Sequence, residues 1–126
     1  MKKLITLALT TLVFSGCSSF SVSTNLDPSN VTNYFKPSAI DVLTQDEIAM
    51  YNAKSIGAIS GLSCQIDKRD FIANESDART DAKLKAADKG ANALVFSKCV
   101  VLDNTPACLK SVTCYGEAYI IGDRIK

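Results

Sequence analysis

Residues 90–118, GANALVFSKCVVLDNTPACLKSVTCYGEA, hold three of the chain's five cysteines, one in each of two apolar runs and one in the loop between them. The first run, 93–101, is rich in Val, Leu and Phe and too short for a typical helix, so it reads as a well-buried strand. The second, 111–121, alternates: Val112, Cys114, Gly116, Ala118 and Ile120 share one face, and Ser111, Thr113, Tyr115, Glu117 and Tyr119 share the other. Period two means a half-buried strand. Asp103-Asn104-Thr105-Pro106 between the runs is turn chemistry, since Asn and Asp bond their own backbone and Pro fixes φ. In the resulting hairpin Cys99 and Cys114 can meet across the strands, whereas Cys108 rides in the loop and needs another partner.

Upstream of the hairpin, Ser76 can cap a helix that runs to Lys89 and is closed by Gly90 in the left-handed conformation. Ala78, Ala82 and Ala86 recur every fourth position, a stripe of small residues that lets the helix sit close on a sheet as a strand-to-strand crossover. Residues 55–62 place Ile56, Ala58, Ser60 and Leu62 on one side and Gly57, Ile59 and Gly61 on the other, and the strand is expected to end at Cys64. Two glycines weaken a strand unless another backbone comes close or the chain bulges. Their spacing lacks the following Gly-Lys-Ser/Thr of a phosphate loop, so the reading is structural. Residues 65–74 form a charged, irregular loop. Residues 39–43 read as a short edge strand, and Thr44-Gln45-Asp46-Glu47 fits a capping box opening a brief helix to about Met50. Helix-start chemistry accounts for Asp46 and Glu47 without a catalytic carboxylate pair.

The N-terminus carries Lys2 and Lys3, an apolar stretch over 4–14, then Ser15-Gly16-Cys17. A charged start, a short apolar core and small residues make an export signal too short to remain as a spanning helix. The small pair before Cys17 resembles a bacterial lipobox, which divides the chain into a signal peptide over 1–16, a lipidated N-terminus and tether over 17–38, and a folded domain over 39–126. An ordinary cleaved signal ending near Ser18 or Ser19 is the competing reading. Ser18 follows the cysteine where lipoproteins retained at the inner membrane usually have Asp, so the resemblance points to the outer membrane. The 18–38 segment is rich in Ser, Thr and Asn, contains Pro28 and Pro37, and is expected to be flexible.

Lys and Arg total 14 against 13 Asp and Glu, so no strong field points to nucleic acid. The absence of histidine removes Ser-His and Cys-His catalysis and imidazole metal ligands. With Cys17 acylated, Cys64, Cys99, Cys108 and Cys114 remain, and in an exported chain such a set reads as disulfides. They allow three pairings. No CxxC pair exists to support a zinc site or a redox-active dithiol, so no metal or cofactor is expected. A core built on roughly 80 folded residues is small, which gives cross-links weight.

These residues resemble those of the RcsF family, outer-membrane lipoproteins that report envelope damage to the Rcs phosphorelay. The resemblance rests on Cys17, Ser60-Gly61-Leu62-Ser63-Cys64, Ala91-Asn92-Ala93 leading to Cys99, Thr105-Pro106-Ala107-Cys108 and Cys114-Tyr115-Gly116-Glu117-Ala118. It implies a compact α+β domain, a small sheet with one main helix packed on it, stapled by the interleaved disulfides Cys64–Cys108 and Cys99–Cys114, and no catalysis. It also implies association with outer-membrane β-barrel proteins and their assembly machinery, and contact under stress with an inner-membrane repressor of the phosphorelay. The domain would sit in the periplasm or partly at the cell surface. An oxidase acting on an emerging chain joins consecutive cysteines, so an interleaved pattern predicts dependence on a disulfide isomerase.

A structural or barrel-assembly accessory without signalling is the competing function, and a small-molecule or metal-binding domain is a third reading resting on fold analogy alone. Tyr115, Glu117 and Tyr119, on the outward side of the last strand, are the candidate partner surface, because aromatics are enriched at interfaces. Ordinary sheet surface is the alternative for them.

Overall fold

Alternation over 111–121 extends at both ends into β4 (Lys110–Arg124), which lies inside the sheet with β3 (Ala93–Asp103) on one side and β2 (Tyr51–Gln65) on the other. Both pairings are antiparallel, so β2 and β3 run parallel with β4 between them. A two-residue strand, β1 (Asp41–Val42), lies parallel to the start of β3 and completes the order β1-β3-β4-β2. The structure is a computed structural model and describes residues 36–126. The expected signal peptide, Cys17 and most of the 17–38 tether lie outside the described residues.

The main helix, α2 (Glu75–Asp88), connects β2 to β3 as expected for a crossover, except that β4 fills the place between the strands it joins. Ala78, Ala82 and Ala86 are buried completely against the sheet. Gly61 is the reason they can approach: a Cβ at this position would lie 1.9 Å from the Ala78 carbonyl oxygen. Gly57 has a different task. Its φ of +116° sits at a register slip between Ser55 and Gly57, which turns Ile56 toward the same helix-side core as Ile59, although simple alternation sets the two on opposite sides. Leu62, left on the opposite face, is 48% exposed.

Asn74 caps α2, accepting from the Asp77 N–H through its side chain at 2.9 Å, so the helix starts ahead of the expected Ser76. Both residue types suit the position, and the backbone decides: Asn74 is extended at φ −143° and its own N–H is held by the Ser63 hydroxyl at 3.2 Å. Asn74→Ala should therefore lower stability by about 1 kcal/mol, while Ser76→Ala stays near neutral in urea unfolding; the reverse order would contradict this cap. Gly90, at φ +82°, ends the helix as expected.

α1 (Gln45–Ile48) opens with the expected capping box, the Thr44 hydroxyl accepting from the Glu47 N–H and the Glu47 carboxylate accepting from the Thr44 N–H. It buries Ile48 against Ala93 and Val95, while Leu94 between them enters the helix-side core with Ile40 and Ala118. The first residues of β3 are thus covered on both faces, whereas Val101 and Leu102 near its end are exposed. Ile120 is exposed too, because the helix-side core ends at Ala118. A 3-10 turn over Lys36–Ala39 leads into β1, and Lys36 pairs with Asp88 at the end of α2 at 2.9 Å.

Candidate interaction surface and cysteine clamps

Hairpin register places Cys99 directly opposite Cys114, and the two are joined. Cys108, in the loop, is joined to Cys64 at the end of β2, so the two cross-links interleave along the chain. The loop around Cys108 is tied down further: the Thr105 hydroxyl accepts from the Cys108 N–H at 3.1 Å, and the Leu109 N–H donates to the Gln65 carbonyl at 2.7 Å. The clamps sit on opposite faces of the sheet. Cys114 is fully buried beside Ala73, Ala78 and Val112 under α2, whereas Cys64 pairs across β4 with Ser111 on the other side. Glu75, Cys99 and Cys114 bring a carboxylate and two sulfurs within 4.8 Å of one another, but the sulfurs are bonded together and offer no thiolate to a metal.

β2 forms the outer edge of the sheet, a place where unpaired backbone groups invite strangers. Here α2 closes it. The Leu62 N–H donates to Asp81 at 2.8 Å, Lys85 donates to the Ser60 carbonyl at 3.2 Å, and Asp81 and Lys85 pair with each other at 2.7 Å. Neither residue stood out in the sequence; their four-residue spacing on a helix was the available signal.

Tyr115, Glu117 and Tyr119 share the face opposite α2, as the alternation predicted, but they differ in access. Tyr115 is 43% exposed between Ser60 and Lys98 of the flanking strands. Glu117 is exposed and accepts a hydrogen bond from the Ser55 hydroxyl. Tyr119 packs against the cluster of Ile48, Ala93 and Val95 beneath α1, an element whose position the strand pattern does not reveal. Burial, and then the neighbouring Glu117 carboxylate, raise the Tyr119 phenol above its ordinary 10.0. The fold therefore favours the neutral phenol, and that contribution is complete below pH 10.0 and lost as pH climbs through the higher folded value. The urea midpoint should drop above pH 10.0, and drop less in Tyr119→Phe. Equal drops would show that the phenol is not coupled to folding.

A cleft of about 620 Å³ lies where β1 leaves β3 and includes Thr44, Arg79, Phe96 and Glu117 in its lining. Arg79 stacks on the Phe96 ring at 4.6 Å. Among the described residues the cleft wall brings together no nucleophile and base within bonding reach.

The family model described as RcsF lipoprotein matches residues 18–122. The chain belongs to the RcsF lipoprotein family. It is similar to the Outer membrane lipoprotein RcsF of Escherichia coli strain K12, with 28% identity over 123 residues that cover 89% of this chain and 92% of the relative. The protein of the same description from Escherichia coli O6:H1 strain CFT073 matches to the same extent. The interleaved cysteine pairs and the α+β domain of this chain are those that the resemblance implied. None of the described helices is long and apolar enough to cross a membrane.

Proposed function

We propose that this RcsF-family protein is held at the outer membrane by acyl chains on Cys17 and signals envelope stress to the Rcs phosphorelay by protein contact rather than by catalysis. The observation that carries this reading is the family match across 18–122, with four cysteines paired around one rigid domain. The chemistry is consistent with it. A chain without histidine offers no imidazole nitrogen to carry a phosphoryl group, which suits a protein that passes its signal by contact. What the fold supplies is a surface of fixed shape.

Barrel proteins and their assembly machinery are the proposed outer-membrane partners, and a repressor in the inner membrane is the proposed target under stress. The exposed part of the open sheet face, Tyr115 and Glu117, is the proposed contact. Tyr119 supports that face from beneath α1. Deleting the gene should abolish phosphorelay induction when lipopolysaccharide or peptidoglycan is damaged. Tyr115→Ala should weaken induction without lowering the amount of folded protein. Intact induction together with defective barrel assembly would instead mark an accessory role.

A further inference from the structure

We infer that the loop over 66–72 inserts an apolar tip into the surface of the phospholipid bilayer that anchors the chain. Phe71 is 94% exposed, and Ile66 and Ile72 beside it are 71% and 65% exposed, the three highest values among the large hydrophobic side chains of the described residues. Scattered surface hydrophobes are ordinary, but three on one short loop form a patch.

This tip is held out by its flanks. Before it, Cys64 is clamped to Cys108, the Gln65 carbonyl accepts from the Leu109 N–H, and the Gln65 amide donates to the Asp70 carbonyl at 3.4 Å. After it, Ala73 is buried in the core with Cys114. Within the loop, Asp70 accepts from the Asp67 N–H at 2.8 Å, and Asp67 accepts from the Arg69 N–H at 3.0 Å. Both carboxylates are engaged with the loop's own groups, while Lys68 makes no ion pair among the described residues. The formal charges of Asp67, Lys68, Arg69 and Asp70 cancel, so apolar burial decides the partner.

A bilayer suits this geometry better than a protein pocket. The domain covers almost none of the Phe71 ring, and a deformable medium can close around such a protrusion from all sides. Reach is sufficient. The described chain begins at Lys36 beside Asp88, and the loop lies at the other end of α2, whose 14 residues span about 21 Å. The 19 residues over 17–35 reach at most about 65 Å. This inference rests on the Cys17 anchor proposed above, which makes loop docking intramolecular at an effective concentration on the order of millimolar.

The chain has no tryptophan, so Phe71→Trp provides a single tryptophan that can be excited apart from the four tyrosines. The full acylated protein would be reconstituted in vesicles of phosphatidylethanolamine and phosphatidylglycerol. Its emission should shift to shorter wavelength, lose intensity when the acyl chains are brominated, and hold both changes at high salt. Tyr115→Trp, on the open sheet face, should show neither change. Co-flotation with the vesicles reads the anchor separately from the loop. A chain that floats while its Phe71→Trp emission stays water-like and unquenched would overturn the inference. So would equal quenching at both positions, or a shift that appears only when the repressor's periplasmic portion is added.

Discussion

Gly61→Ala should unfold this protein more readily than any other single added methyl group. The new Cβ would lie 1.9 Å from the Ala78 carbonyl oxygen, 2.3 Å from the Ala82 nitrogen and 2.8 Å from the Ala82 Cβ. Two of these are helix backbone, which cannot turn away as a side chain can, so α2 has to retreat as a body. Retreat would open the Ala78, Ala82 and Ala86 seam and draw Asp81 and Lys85 away from the backbone of Leu62 and Ser60. Overpacking of a filled core typically destabilises by about 1–3 kcal/mol and occasionally more, and the upper end is expected here. For a domain of this size each kcal/mol lowers Tm by roughly 4–8 °C. Gly122→Ala is the control, since its nearest neighbour is 3.7 Å away, an ordinary contact. Similar melting temperatures for the two variants would contradict the close packing at Gly61.

Removing either disulfide should have an effect of comparable size. Closing sequence separations of 44 for Cys64–Cys108 and 15 for Cys99–Cys114 limits the unfolded chain by about 4 and about 3 kcal/mol in the chain-entropy model. The closed segments overlap, so the losses should add to less than their sum. Replacing Cys64 and Cys108 with serine removes the first clamp, and Cys99→Ala with Cys114→Ala removes the second while keeping an apolar group at the buried Cys114 site. Denaturant midpoints should fall in both, further in the first. Consecutive pairing would instead join Cys64 to Cys99 and Cys108 to Cys114. The yield of native protein should therefore drop in cells lacking a disulfide isomerase, and an unchanged yield would count against that dependence.

The sequence made the hairpin and the helix stripe legible because both signals are local. Alternation over 111–121 and a four-residue repeat of alanine do not depend on distant residues. The glycines of β2 were recognisable as a bulge or a close approach, but only the packed helix shows that Gly57 does the first and Gly61 the second. The outer ends of β2 and β4 were missed because Asn52 and Lys54 carry no apolar pattern. They are strand because the two chains pair there, Tyr51 opposite Arg124 and Lys54 opposite Ile120. Tyr119 shows the other limit: alternation assigned its face correctly, but α1, four residues long, covers that part of the face. Phe71 and Ile72 went unremarked within the charged 65–74 loop, because their exposure depends on how Ala73 and Gln65 are fixed on either side.

Tyr115 and Leu62 mark the part of the open face that α1 leaves uncovered, with the Cys64–Cys108 clamp at one end. A face held by cross-links is suited to recognition by contact, because little conformational freedom is lost when a partner binds. The clamps matter for the same reason: a domain that frayed at β2 would present neither the face nor the loop.

Peptide mapping of the membrane-extracted protein under non-reducing conditions would read the lipid anchor and both cysteine clamps at once. Trypsin followed by cleavage at Asp103 separates Cys99 from Cys108, which otherwise share one fragment. The expected products are an acylated N-terminal fragment beginning at Cys17, the Cys64 fragment bound to the Cys108 fragment, and the Cys99 fragment bound to the Cys114 fragment. An unmodified Cys17 with four free thiols would contradict both the anchor and the clamps.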